Sequence, residues 1–150
     1  MSEEVRKALM SRVKTVVVKL GTAVLSDKRE RLDTRRVAAI CGQVDALRRR
    51  GLTVIIVSSG AIAAGMTELR MKKRPTTLPE LQAAAAVGQS HLMVAYDSCF
   101  RNHGYRAGQV LLTRETVNDR VRYLNARNAI NAILALDAIP IINELSLIHI

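Results

Sequence analysis

The sequence predicts an α/β fold, a three-layer αβα sandwich in which helices cover both faces of a mainly parallel sheet. Short runs rich in Val, Ile and Leu alternate along the chain with longer segments of helical periodicity. The run at residues 54–57 is continuously apolar, which is typical of a strand buried on both faces. Because strands joined through a helix lie parallel in one sheet, this alternation indicates a single parallel sheet.

The pattern places four strands, near residues 14–20, 53–58, 107–112 and 139–143. It places four helices, near residues 33–50, 60–69, 79–102 and 122–137. Asp33 is suited to cap the first helix and Gly51 to end it, while Pro79 suits the first position of the third. Gly88 lies inside that third helix, where we expect it to allow close packing of the helix against the sheet.

Composition excludes several classes of protein. A length of 150 residues fits one domain, and 49% apolar with 24% charged residues is the balance of a globular chain rather than a disordered one. No apolar run approaches the roughly 20 residues of a membrane span, and the amino terminus does not read as a secretory signal. We therefore expect a cytoplasmic protein without a membrane partner. Cys41 and Cys99 show no metal or redox spacing and are interpreted as thiols packed as small apolar groups.

Charge is distributed unevenly along the chain. Residues 1–74 hold 17 basic and 7 acidic side chains, whereas residues 75–150 hold 6 of each. A basic half favours an anionic ligand, but nucleic acid is disfavoured because aromatic residues make up only 3% of the chain. The basic triplet at 48–50 falls at a helix end, where cations suit the helix dipole, and the triplet at 72–74 is interpreted as a solvated loop.

The ends of the predicted strands carry the candidate ligand-binding residues, because ligands bind at the carboxyl edge of a parallel sheet. Lys19 leaves the first strand just before Gly21 and Thr22. Lysine suits a phosphate as a point charge, and glycine lets the backbone approach an anion. The alternative is an ordinary lysine that extends from a strand end to water.

Ser59, Gly60 and Ala61 follow the second strand, where a helix N-terminus offers unpaired N–H groups to an anion. The alternative is a tight strand-to-helix turn with a face of small residues. Asn143 and Glu144 follow the fourth strand and suit a ligand or a metal, with a plain loop as the alternative. The histidines have no partners at metal-ligand spacing, so no metal-binding residues are assigned.

Six ordered blocks of sequence resemble the amino acid kinase family, over about residues 14–144. They lie at residues 17–22, 57–65, 86–90, 109–113, 123–127 and 140–144. The resemblance implies the amino acid kinase fold and ATP-dependent phosphorylation of the γ-carboxylate of L-glutamate, with Mg²⁺, in the first step of proline synthesis. It also implies a homo-oligomer when the protein is full length.

The resemblance also implies roles for the residues at the strand ends. Lys19 would reach the phosphates of ATP and stabilise charge on the transferred group, and Gly21 and Thr22 would shape that loop. The glutamate-binding residues would be Ser59, Gly60, Ala61, Asn143 and Glu144. Phosphoryl transfer depends on positioning and charge neutralisation, so such a site needs no protein nucleophile.

The resemblance divides the chain into three parts. Residues 1–13 form a polar amino-terminal segment, and residues 14–144 form the amino-terminal, glutamate-binding part of a kinase domain. Residues 145–150 depart from the family, since Ser146 stands where the family has a substrate-binding Asp. We expect a truncated, inactive fragment, and the tail reads as a frameshift, a true truncation or the translation of a transposase sequencing adapter.

Two alternatives to a glutamate-phosphorylating enzyme remain open. One is another member of the family, acting on aspartate, acetylglutamate, carbamate or UMP; the blocks at 59–65 and 123–127 argue against it. The other is a non-catalytic module that binds anions or nucleic acid through the basic half, for which steeply salt-dependent retention would be the sign.

Overall fold

The computed structural model describes residues 3–5, 11–112, 116 and 118–144. Most of the expected amino-terminal segment and the whole tail at 145–150 therefore lie outside the described residues. The strands are β1 (Thr15–Leu20), β2 (Thr53–Ser58), β3 (Ala107–Leu112) and β4 (Ile139–Glu144). The helices are α1 (Thr22–Leu25), α2 (Thr34–Arg49), α3 (Ala61–Glu68), α4 (Leu78–Arg101) and α5 (Arg120–Ala135).

The predicted strands and helices are confirmed, with ends that differ by no more than two residues. Asp33 caps α2 by accepting a hydrogen bond from Arg35 N–H, as expected. The single turn α1 was not predicted. It is stabilised by a residue of α2, because the Arg36 guanidinium donates hydrogen bonds to the carbonyl oxygens of Ala23 at 3.0 Å and Ser26 at 2.7 Å. No local sequence pattern reports a contact of that kind.

The four strands form one parallel sheet in the order β1-β2-β4-β3. The chain adds β3 at the far edge and then returns, so that β4 lies between β2 and β3. Since such crossovers are right-handed, the reversal of direction sends the returning helix to the opposite face of the sheet. The observed layering agrees with this rule and with the predicted αβα sandwich.

The main core lies on one face of the sheet, beneath α2 and α4. Strands β2 and β4 contribute alternate apolar residues to it, and the two helices contribute Val37, Cys41, Val44, Leu92, Tyr96 and Phe100. Cys41 is fully buried, as its interpretation as a small apolar group requires. Its thiol interacts with that of Cys99 on α4, although the two lie 58 positions apart in sequence.

The opposite face of the sheet is covered only in part. Helix α5 packs against β3 and β4, and a Cβ at Gly108 would lie 2.8 Å from the Ile133 side chain. None of the residues of α5 is fully buried. On the same face, Val17 of β1 remains 60% exposed. Within the described part of the chain, an apolar strip of the sheet is therefore left open beside α5.

Helices α3 and α4 cross through glycines. A Cβ on Gly88 would lie 1.8 Å from Ala61 O, and one on Gly65 would lie 1.8 Å from Ala84 O. Only glycine permits so close an approach of two backbones. The expectation that Gly88 packs α4 against the sheet was wrong, because the close partner is α3. This crossing holds α3, which begins at the end of β2, firmly against α4.

Candidate functional site at the carboxyl edge of the sheet

The carboxyl ends of β1, β2 and β4 lie side by side. Lys19 is in register with Val57, and Val57 is in register with Ile142. Lys19, Ser59 and Asn143 therefore lie at the same edge of the sheet. Since side chains alternate along a strand, Lys19 and Asn143 approach this edge from opposite faces.

Lys19, the residue before the last of β1, is an exposed cation. Its side chain forms no ion pair or hydrogen bond with any residue in the described ranges. Gly21 follows as the N-cap residue of α1, with an ordinary extended φ of −75°. A Cβ at Gly21 would meet no atom within 4 Å, so this position offers open space rather than a strained turn. Thr22 opens α1, and its carbonyl accepts a 2.7 Å hydrogen bond from Ser26 Oγ.

The turn after β2 joins the sheet to α3. Ser59 N–H donates to Leu20 O at 2.9 Å, which ties the turn to the end of β1. Gly60 has a φ of +113°, and a Cβ there would lie 3.1 Å from the Leu25 side chain, so both conformation and space require glycine. The side chain of Ser59 is half-buried, whereas Gly60 and Ala61 are buried.

The N-terminus of α3 has the features of an anion-binding helix end. Gly60 provides no side-chain cap, and the first turn contains no acidic residue. The first hydrogen bond within the helix runs from Ala64 N–H to Gly60 O at 2.9 Å. Backbone N–H groups that precede this bond, together with the positive end of the helix dipole, favour a carboxylate or a phosphate at this point.

Two side chains of α4 form hydrogen bonds with residues at the strand ends. No role was predicted from the sequence for either of them. Tyr96 OH lies 2.9 Å from Ser58 Oγ, and Asn143 Nδ2 donates to Gln89 Oε1. Asn143 is only 5% exposed. Gln89 and Tyr96 are seven positions apart and so share one helix face, which otherwise carries buried apolar residues. The sequence signal that could have identified Gln89 and Tyr96 is the presence of two polar side chains on an otherwise apolar helix face.

Glu144 is described only through its backbone, which pairs in register with Leu112 of β3. It ends β4 at the same edge as Asn143. The residues expected at the strand ends are thus neighbours in space at the level of the backbone.

The basic triplet at 48–50 lies away from this edge, at the end of α2. Arg48 pairs with Asp137 and places its guanidinium 5.1 Å from the centre of the Tyr105 ring. Arg49 pairs with Asp45 at 2.8 Å. The interpretation of this triplet as a structural feature of a helix end is confirmed, since two of its three cations are engaged within the protein.

The described residues contain no cluster of three or more His, Cys, Asp or Glu side chains that could hold a metal ion. These residues do not by themselves form a Mg²⁺ site. ATP fits better, because Lys19 and the open space at Gly21 suit an anionic phosphate chain. Among the described helices, none has the length and apolar character needed to span a membrane.

A parallel sheet whose strand ends meet at one edge, beside a helix N-terminus without a side-chain cap, is the arrangement in which α/β enzymes bind anionic ligands. The sequence matches the amino acid kinase family over residues 14–149. The chain belongs to that family.

The individual relatives are glutamate 5-kinases. The glutamate 5-kinase of Pelobacter propionicus is 50% identical over 139 residues, which cover 93% of this chain and 37% of the relative. That of Nitrosospira multiformis is 46% identical over 92% of this chain and 37% of the relative. That of Chromohalobacter salexigens is 45% identical over 95% of this chain and 38% of the relative. The chain thus spans well under half the length of the curated relatives it matches.

Proposed function

We propose that the complete protein carrying this chain is a glutamate 5-kinase, and that residues 14–144 supply its glutamate-binding part. In the reaction, an oxygen of the γ-carboxylate of L-glutamate attacks the γ-phosphorus of ATP. The bond from that phosphorus to the bridging oxygen breaks, and glutamyl 5-phosphate and ADP are formed. This is the entry reaction of proline synthesis.

The observation that carries the proposal is the shared edge of β1, β2 and β4. Lys19 supplies a cation there, and Ser59 precedes an uncapped helix N-terminus. Asn143 adds a buried amide from β4. A dicarboxylic amino acid and a triphosphate are both anionic, so one edge that carries a cation and N–H dipoles suits the two substrates together.

Each of these groups has a distinct role in the proposed phosphoryl transfer. Ser59 and the first N–H groups of α3 hold a carboxylate of glutamate by hydrogen bonds. Lys19 neutralises negative charge as the phosphoryl group passes between oxygens, with Gly21 and Thr22 leaving room for the phosphates. Mg²⁺ would shield charge on ATP when bound, which is the chemistry it supplies to kinases generally.

The alternatives receive less support. Identities of 45–50% to relatives named glutamate 5-kinase favour glutamate over the other acids of the family. A nucleic-acid module would need cations free on one surface, and Arg48 and Arg49 are instead paired with Asp137 and Asp45.

The test uses a completed enzyme, in which residues 1–144 of this chain are joined to the remaining carboxy-terminal part of the Pelobacter propionicus relative. Hydroxylamine traps glutamyl 5-phosphate as a coloured hydroxamate, and ADP release is followed in parallel. We expect both signals to require L-glutamate. The unmodified 150-residue chain serves as the comparison and is expected to show neither, since it spans 37% of that relative.

Two results would contradict the proposal. A folded completed enzyme that turns over ATP with aspartate or acetylglutamate, but not with glutamate, would assign a different substrate. Hydroxamate formation by the 150-residue chain alone would show that the glutamate-binding part also contains a full catalytic site.

A further inference from the structure

The side-chain amide of Gln89 holds a donor for which the described residues provide no acceptor. Its Oε1 accepts a hydrogen bond from Asn143 Nδ2. Its Nε2 is buried and has no hydrogen-bond partner among the described residues. Since the two amide atoms share one carbon, this donor lies directly beside Asn143, at the end of β4.

A buried N–H group without an acceptor is rare in proteins, because its hydration is lost without replacement. The other buried unpartnered side-chain atom in the described ranges, Asp45 Oδ1, has a different setting. The second oxygen of that carboxylate pairs with Arg49 at 2.8 Å and lies 3.3 Å from His103 Nδ1. Among the described residues no ion pair or second hydrogen bond engages the Gln89 amide, so its donor is open to an acceptor on a bound ligand.

The position of Gln89 suggests what that acceptor is. The preceding residue, Gly88, touches the first turn of α3, where a Cβ would lie 1.8 Å from Ala61 O. Gln89 therefore follows the residue of α4 that contacts the first turn of α3, and its amide is hydrogen-bonded to Asn143 at the sheet edge. The Gln89 donor and the uncapped N-terminus of α3 both belong to this edge of the sheet, and a carboxylate is the acceptor that amide donors and a positive helix dipole favour.

We propose that Gln89 is a specificity-determining residue, which donates from Nε2 to a carboxylate oxygen of the amino-acid substrate. Its Oε1 at the same time sets the orientation of the Asn143 amide. This inference rests on the proposed function and adds to it a substrate contact on α4, outside the strand ends.

The substitution Gln89→Glu separates the two tasks of this amide in the completed enzyme. It keeps an oxygen to accept from Asn143 but replaces the unused donor with an oxygen that repels a carboxylate. We expect the KM for glutamate to rise at least about 10-fold, the scale for one hydrogen bond to a charged group, while the KM for ATP stays within about twofold. An unchanged KM for glutamate would reduce Gln89 to a structural partner of Asn143 and overturn the inference.

Gln82→Glu is the matched control, since it places the same charge two turns earlier on α4 and should leave both KM values unchanged. Equal effects of the two substitutions would overturn the inference by assigning the change to charge alone. If Gln89→Glu does not fold, Gln89→Met tests the same point, because it removes the donor without adding charge. A folded Gln89→Met enzyme with the parent's KM for glutamate would also overturn the inference.

Failure of the proposed function and failure of the role of Gln89 give different experimental results. A completed enzyme that forms no hydroxamate from glutamate contradicts the proposed function itself. An active enzyme whose Gln89 variants bind glutamate as the parent does leaves that function intact and removes only the role of Gln89.

Discussion

Tyr96 donates a hydrogen bond to Ser58 across the buried interface between α4 and β2. The two oxygens lie 2.9 Å apart, and the structure alone permits either to be the donor. Ser58 Oγ also donates its one proton to Ser59 O at 2.9 Å, so Tyr96 must supply the proton of the shared bond. The phenol thereby holds the carbonyl of Ser59, at the start of the candidate site, through one intervening hydroxyl.

Tyr96→Phe removes this donor and leaves the packing of the ring intact. Ser58 Oγ then loses a buried partner, and we expect the free energy of unfolding to fall by about 1 kcal/mol. Urea unfolding of the 150-residue chain measures the change. Tyr123→Phe is the control, because Tyr123 is 50% exposed rather than buried. Equal stability of the Tyr96→Phe chain and the parent would contradict the assigned hydrogen bond.

Gly88→Ala tests the crossing of α3 and α4. Helix propensity alone would make this change stabilising by about 1 kcal/mol. The new Cβ would instead lie 1.8 Å from Ala61 O and 2.2 Å from Gly65 N, so the helices must separate. We expect a loss of about 3 kcal/mol or more, at the upper end for an overpacked interior.

Gly42→Ala on α2 is the matched control for this crossing. A Cβ at Gly42 would meet no atom within 4 Å, and we expect a gain of about 0.5–1 kcal/mol. The same sign of change at Gly42 and Gly88, measured by urea unfolding, would show that the backbones do not approach as closely as described.

Lys19→Ala in the completed enzyme should lower kcat by roughly 10²–10³-fold, the scale for removing one group that stabilises transition-state charge. The KM for glutamate should change little, because this cation acts as charge develops rather than on the bound substrate. Lys14→Ala serves as the control, since Lys14 is an exposed lysine before the opposite end of β1. A Lys19→Ala enzyme with the parent's kcat would leave Lys19 as an ordinary strand-end lysine.

Ser59→Ala keeps the small size that the turn needs and removes one hydroxyl. Losing a hydrogen bond to a charged group should raise the KM for glutamate roughly 10–150-fold, with little effect on the KM for ATP. Titrating each substrate at saturating levels of the other separates the two constants, and Ser90→Ala on the exposed side of α4 is the control. A rise in the KM for ATP alone would assign this turn to the nucleotide.

Alkaline pH should destabilise the fold through two buried acids. Burial, and to a lesser extent Cys99, raises the pKa of Cys41 to about 12, and burial raises that of Tyr96 to about 12. In the unfolded chain these groups ionise near 9.0 and 10.0. The unfolded state therefore loses protons first, so their contribution to stability is complete below pH 9 and is lost as pH rises towards 12.

Urea unfolding between pH 8 and 11 measures this loss. The Cys41→Ala chain should show a shallower decline just above pH 9, because its unfolded state lacks the first group to ionise. A parent stability that is flat across this range would contradict the assigned burial of both groups.

Much of the fold follows from local sequence. Apolar periodicity, Asp33 at a helix start and Gly51 at a helix end are properties of neighbouring residues, and the structure places the elements where these signals predicted them. Parallel strands also bring their carboxyl ends to one edge, so the region of Lys19, Ser59 and Asn143 was predictable as a candidate site.

Which residues contact each other across long stretches of sequence was decided only by the tertiary structure. The order β1-β2-β4-β3 puts Asn143 beside β2, and α4 then brings Gln89 to Asn143 and Tyr96 to Ser58 across 54 and 38 residues of sequence. Glycine lowers the stability of an isolated helix, but in this packing Gly88 is the position at which α4 contacts α3. Periodicity and capping depend on hydrogen bonds within a few residues, whereas these contacts depend on which surfaces meet once the elements have formed.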